Sequence, residues 1–356
     1  MKKQTLLFTL FLFFSCIICA QEKKVRLLFA GDAMQHKSQI DAAKTKDGYD
    51  YSSYFKHINA QIDSADIAVV NMEVTLAGKP YTGYPAFSAP NEFADELKNA
   101  GFDVFLTANN HILDKGKRGL QRTIDQLDTI QVKHLGSYID KEQRSLRYPL
   151  MLIKNGIRIA MLNYTYDTNG IKVQAPNIVN YIQRDSILND IRKAKQMNAD
   201  VIVANMHWGL EYKLKQSKEQ VDLADFLINN GVNLVIGNHP HVVQPIDVRK
   251  EGDSIKNIVV YSLGNFVSGM KATNTDGGMM VTIDLSKNED DVVKIDSCSY
   301  SLVWVHKPLE EGRLQIQLIP VSEYEDKEKG IGLLGEDAYL RMMKFASVAK
   351  ETIGKQ

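Results

Sequence analysis

Short apolar, β-branched runs recur along this chain, each followed by a polar cluster and then by a helical pattern. The runs occupy residues 25–30, 67–70, 104–107, 157–162, 201–204, 234–236 and 258–262. They lack polar alternation, which is the pattern of strands covered on both faces. Between them, Leu120, Ile124 and Leu127 repeat at helical spacing after Gly119, and Val221, Ala224 and Ile228 do so before the stop at Asn230-Gly231. With no internal repeat, low-complexity tract or Pro/Gly/Ser-rich linker, this order predicts one α/β domain over residues 21–356. Its motif core spans about 25–285. Residues 286–322 read as further strands and loops at a sheet edge, and 333–353 as a helix covering one face.

Open α/β sheets gather ligands outside the carboxyl ends of their strands. The polar clusters fall there: Gly31-Asp32, Asn71-Met72-Glu73, Asn109-Asn110-His111, His207, and Gly237-Asn238-His239-Pro240-His241. Singly, each has an ordinary structural explanation as a turn residue, a helix cap or a satisfied core histidine. Five in register along alternating elements predict one shared metal-binding rim. Carboxylate, amide oxygen and imidazole together suit Mn, Fe or Zn better than Ca, and the lack of thiolates argues against a structural zinc.

Charge and cysteine content narrow the setting. Lys2-Lys3, an apolar run from Leu6 to Cys19, and Ala20 before a charged segment read as a cleaved export signal over residues 1–20. The run is shorter than the ~18 residues a bilayer span requires. Ser15-Cys16 supplies a lipoprotein alternative, although the two isoleucines after Cys16 fit such a cleavage site poorly. Cleavage removes Lys2, Lys3 and no acid, leaving 41 basic against 43 acidic residues, net −2. That balance gives nucleic acid no bulk attraction. It also leaves Cys298 alone, so the exported protein has no internal disulfide partner and depends on a large core.

The ordered series Gly31-Asp32-Ala-Met34, Asn71-Met-Glu73, Ala108-Asn-Asn-His111, Met206-His-Trp-Gly-Leu-Glu-Tyr212, Gly237-Asn-His-Pro-His-Val-Val-Gln-Pro245 and Tyr261-Ser-Leu-Gly-Asn-Phe266 resembles the CapA-type poly-gamma-glutamate capsule biosynthesis proteins, the PGA_cap family. These in turn resemble calcineurin-like metallophosphoesterases. The resemblance implies a four-layer α/β/β/α sandwich of the metallo-dependent phosphatase type, with one or two divalent transition metals on its rim. It assigns Asp32, Glu73, Asn110, His207, His239 and His241 as metal ligands, and His111 as the group facing the scissile bond and first candidate proton donor. Glu211, four residues after His207, would share its face on a helix. It is a candidate ligand, orienter or proton donor, or simply a solvated acid. Asn109, Lys115 and Asn265 are candidate substrate contacts. Lys115-Gly-Lys-Arg118 reads as a solvated helix start or as a place where an anion could sit, and 81–87 as a loop that either walls the rim with aromatics or simply packs on it.

Two departures bear on the chemistry. Phosphoesterases carry Asp-x-His where this chain has Asp32-Ala33-Met34, and a thioether is a poor ligand for a hard metal. They carry Gly-Asp-x-x-Asp where it has Asn71-Met72-Glu73. His36 is a possible substitute ligand or a surface loop residue. Phosphoester hydrolysis therefore does not follow from the fold. Two functions remain: an exported metal-dependent enzyme acting on an envelope polymer or its precursor through a metal-activated water, alongside membrane capsule-synthesis proteins, or a non-catalytic accessory that binds or anchors an anionic polymer.

Overall fold

The computed structural model describes residues 23–354. The expected export signal at 1–20 lies outside them. All seven apolar runs are strands: Lys23–Ala33, Ile67–Met72, Val104–Leu106, Ile157–Thr165, Val201–His207, Leu234–Asn238 and Ser254–Val260. Lys23–Ala33, Ile67–Met72 and Val104–Leu106 pair in parallel with one another and with Lys133–Leu135. The other four form a second parallel set.

The long antiparallel pair Gly277–Lys287 and Val293–His306 joins the sets. Gly277–Lys287 runs beside Lys23–Ala33, and Val293–His306 reaches Ser254–Val260 at the Ile255–Ile295 register pair. Together they make one ladder of 14 strands among the described residues. Of the segment expected at a sheet edge, Val293–His306 is central, whereas Gln317–Pro320 pairs only with it and Leu309–Glu310 and Arg313–Leu314 form a separate hairpin. The segment's sequence shows strand propensity but not which neighbours it takes.

Side-chain alternation explains why the ladder folds over on itself. Val25, Leu27 and Phe29 of the first strand share a core with Ile159, Met161, Val203 and Leu234 of the other set. Leu28 and Ala30 point the opposite way, onto Phe55, Phe93 and Leu97 of the outer helical layer. Each such side chain contributes roughly 1.5–3 kcal/mol when removed from water. Helices Arg184–Gln196 and Lys218–Asn229 cover the second set through Ile187, Ile191, Ala224 and Leu227. On Lys218–Asn229 the buried stripe is Gln220, Leu223, Ala224 and Leu227, so Val221 and Ile228 sit at its margins. The expected terminal helix is Glu336–Ile353, and a separate helix, Lys327–Leu334, precedes it.

Both parallel sets deliver their carboxyl ends to the same rim. The seam is direct: the short strand Asn265–Val267 pairs in parallel with the first strand at Asp32–Asn265, and Asp32 N donates to Gly264 O at 3.0 Å. Residues distant in sequence therefore meet at one end of the molecule.

Candidate metal centre

Asp32 owes its position to Gly31. The register against Ile67–Met72 runs Ala30–Val70 and then Asp32–Asn71, so Gly31 is an extra residue that sets the carboxylate beside Asn71. A Cβ at Gly31 would lie 1.9 Å from Gly264 O, so only glycine lets the two sets close here. At the end of Leu234–Asn238 the chain turns sharply. His239 takes φ 101° and His241 φ 59°, conformations that cost a non-glycine residue about 1–3 kcal/mol each. His239 N donates to Asp32 Oδ2 at 3.3 Å, and His241 Nδ1 lies 3.1 Å from the same oxygen.

Glu73 is the centre of the cluster. Its Oε1 has no hydrogen-bond partner, yet His207 Nε2, His241 Nε2 and His111 Nε2 surround it at 3.6, 3.8 and 4.0 Å. Nitrogen and oxygen ligands on a tetrahedral ion at ~2.1 Å stand roughly 3.4 Å from one another, so these spacings are those of ligands around a cation. Two triads, Glu73–His239–His241 and Asp32–Glu73–His207, each bring their donor atoms within 4.8 Å, and Glu73 belongs to both. His239 Nδ1 and Asn71 Oδ1 are likewise buried without partners. The residues fit the divalent ion or ions that the donor set calls for.

Electrostatics points the same way. Burial, then Asp32, raises the Glu73 pKa well above the ordinary carboxylate value. Burial, then the neighbouring imidazoles, pushes His207 far down and His239 down to about 3. Imidazoles, with His207 and His239 held neutral by burial, crowd around two buried acids, so a cation relieves the cost of keeping the carboxylates charged.

The remaining candidates separate by position. Asn110 Oδ1 is 2.8 Å from His207 Nε2, inside the cluster. Asn109 is buried beneath it, donating to Met72 O at 2.9 Å and accepting from His111 N at 3.2 Å, so both its polar atoms brace the loop. Asn265 Oδ1 lies 3.1 Å from His241 Nδ1 and orients that ring. Lys115 is half-buried at the start of helix Gly116–Thr129, with no bond to the cluster among the described residues. Glu211 is exposed on a turn that is not helical, so it does not share a helical face with His207. It still acts on the site through charge, adding to the upward push on Glu73.

Met34 and His36 point elsewhere. The Met34 sulfur accepts from Ser268 Oγ at 3.9 Å, and His36 Nδ1 accepts from Gly269 N at 3.1 Å. Neither joins the triads.

Sequence reasoning passed over Asn71 and Asp114. Asn71 Nδ2 is 2.7 Å from Asp32 Oδ1, 3.5 Å from Glu73 Oε2 and 3.3 Å from His207 Nδ1, holding three candidate ligands together. Asp114 Oδ2 accepts from Phe87 N at 2.7 Å and pairs with His111 Nδ1 at 2.8 Å. Its spacing three residues after His111 was the available signal. Phe87 packs edge-on against His111, with ring centroids 4.7 Å apart, so the loop 81–87 meets the rim through Phe87, while Tyr84 stays exposed. Tyr166 covers His239 at 4.5 Å.

The family described as "Bacterial capsule synthesis protein PGA_cap" matches residues 26–270, a stretch that takes in every candidate residue from Asp32 to Asn265. This chain belongs to the PGA_cap family. The capsule biosynthesis protein CapA of Bacillus anthracis is 30% identical over 313 residues, covering 84% of this chain and 74% of that protein. The PGA biosynthesis protein CapA of Bacillus subtilis (strain 168) is 27% identical, over 73% of this chain and 67% of that one. Among solved structures, the calcineurin-like phosphoesterase YfkN from Bacillus subtilis is similar across 93% of this PGA_cap chain and 100% of its own, at 14% identity and a TM-score of 0.46.

Proposed function

We propose that this protein is an exported, metal-dependent hydrolase acting on a polyglutamate-like capsule polymer or its precursor. The observation that carries the reading is the unpartnered Glu73 Oε1 inside a ring of three imidazole nitrogens, which is a ligand cage. Asp32, Glu73, Asn110, His207, His239 and His241 would hold one or two ions of Mn, Fe or Zn. A bound ion of this kind polarises the bond under attack and activates a water.

The protein's own groups supply the rest. Asp114 at Nδ1 fixes the His111 ring and leaves Nε2 facing the cage, where it can hand a proton to the leaving group. Phe87 and Tyr166 shield the imidazoles from water on their open sides. Asn71 keeps Asp32 and Glu73 from separating. The bond cleaved is an amide or a phosphoester, and the family relationship favours capsule polymer work as the process.

Metal analysis of the purified protein after reconstitution should find about one to two equivalents of Mn, Fe or Zn, and Glu73→Gln should weaken retention by more than about tenfold. Complete absence of metal defeats the reading. A panel of phosphoesters, peptides and gamma-linked oligoglutamates then identifies the bond. Metal without turnover on any of them assigns the protein to polymer binding instead.

A further inference from the structure

Beside the rim lies a second feature that the metal cage does not use. A cleft of about 200 Å3 opens between the loop 268–276 and the helix Glu336–Ile353, with Lys271, Arg341 and Lys344 on its walls and Asp276 as its acid. Chain-wide, acids and bases balance at 43 each, so this concentration of cations is local. Lys271 and Lys344 are exposed and have no carboxylate in ion-pair range among the described residues. Among the described residues Arg341 pairs only with Asp276 Oδ2, at 3.4 Å, and that oxygen already accepts from Trp304 Nε1 at 3.1 Å.

Lys307 adds a fourth cation next to the cleft. Its Nζ makes one long bond, 3.4 Å to Met270 O on the cleft wall. Burial lowers its pKa; Asp276 opposes that, while Arg341 and Lys271 reinforce it. One shared carboxylate thus faces four cations, an arrangement that an incoming anion completes.

The cleft is bolted to the metal cage. Asn265, whose Oδ1 orients His241, donates through Nδ2 to Thr275 O at 2.8 Å and contacts the Met270 sulfur at 3.5 Å. His36, on the other side of the same loop, holds Gly269 N. A chain lying across the rim would therefore meet these cations next.

We propose that this cleft is an anion subsite that grips carboxylates of an extended anionic polymer while another part of the same chain occupies the rim. The existence of the subsite stands on the cations themselves; the polymer as its ligand rests on the function proposed above. Of the residues lining the cleft, only Met270 lies within the family match, and the walls come from the loop that follows it and from the helix Glu336–Ile353.

The test is binding of fluorescent poly-gamma-glutamate to the purified protein, with and without chelator, at low and physiological salt. The charge reversal K271E/K344E should weaken binding at least tenfold and flatten its salt dependence. K271Q/K344Q should fall between it and the parent. The reversal K256E/K294E, at the opposite end of the sheet, should stay within twofold. Equal losses in both reversals, no loss in either, or a parent that does not bind the polymer would each overturn the proposal. Inorganic phosphate displacing the polymer at equal charge concentration would overturn the carboxylate assignment. Chelator-treated protein that keeps the K271/K344 dependence sustains the subsite, whereas turnover by the metal-loaded parent decides the catalytic reading independently.

Discussion

Single residues carry the chemistry here through their partners. A lone aspartate three residues after a histidine in a turn is ordinary, and only the 2.8 Å contact with His111 Nδ1 gives Asp114 a role. Asp114→Asn should leave metal content unchanged and, on whichever substrate is turned over, lower kcat by about 10²–10⁴ by disturbing the ring's tautomer. An accompanying loss of metal would instead make Asp114 a scaffold for the cage. Asn71 poses the opposite case: its position in the motif was legible, but its amide contacts needed three strands in place. Met34, doubtful as a ligand from its chemistry, is indeed turned to Ser268.

Elements decide where those residues point. The apolar runs fixed the existence of the strands, because uninterrupted β-branched sequence has few other stable uses inside a core. The extra residue at Gly31 was not readable in that pattern, since it depends on the close approach of Gly264 O. Gly31→Ala should destabilise the fold by about 3 kcal/mol or more, measured as a shift in denaturation midpoint, because the Cβ would meet backbone rather than a yielding side chain. A stable Gly31→Ala variant that still binds metal would show that the seam relaxes. In Val293–His306, His306 lies against Trp304 with ring centroids 5.7 Å apart, and burial lowers its pKa to about 4. The unfolded chain protonates it near 6.5. The unfolded state therefore takes up the proton first, and this contribution to stability is complete above about pH 6.5 and is lost as the pH falls toward 4. His306→Phe keeps the stacking and should show a smaller fall in denaturation midpoint between pH 7 and pH 5 than the parent.

At the scale of the whole molecule, the two parallel strand sets of one folded-over ladder meet at one rim, and the cage exists only when both are folded. Metal that binds the folded state alone should raise stability by about 2.7 kcal/mol at a free concentration a hundredfold above its Kd, seen as a concentration-dependent rise in melting temperature. No rise with Mn, Fe or Zn would mean that the donors are not assembled as a binding site. By itself the sequence determined the strands, the order of the polar clusters and the chemical type of the donors, because periodicity and residue chemistry are local properties. Tertiary structure decided that Val293–His306 is central, that Glu211 is exposed on a turn while Asn71 and Asp114 hold the cage, and that Lys271, Lys307, Arg341 and Lys344 converge beside it. Those outcomes depend on distances between residues up to hundreds of positions apart, which only the packing of the two strand sets against each other fixes.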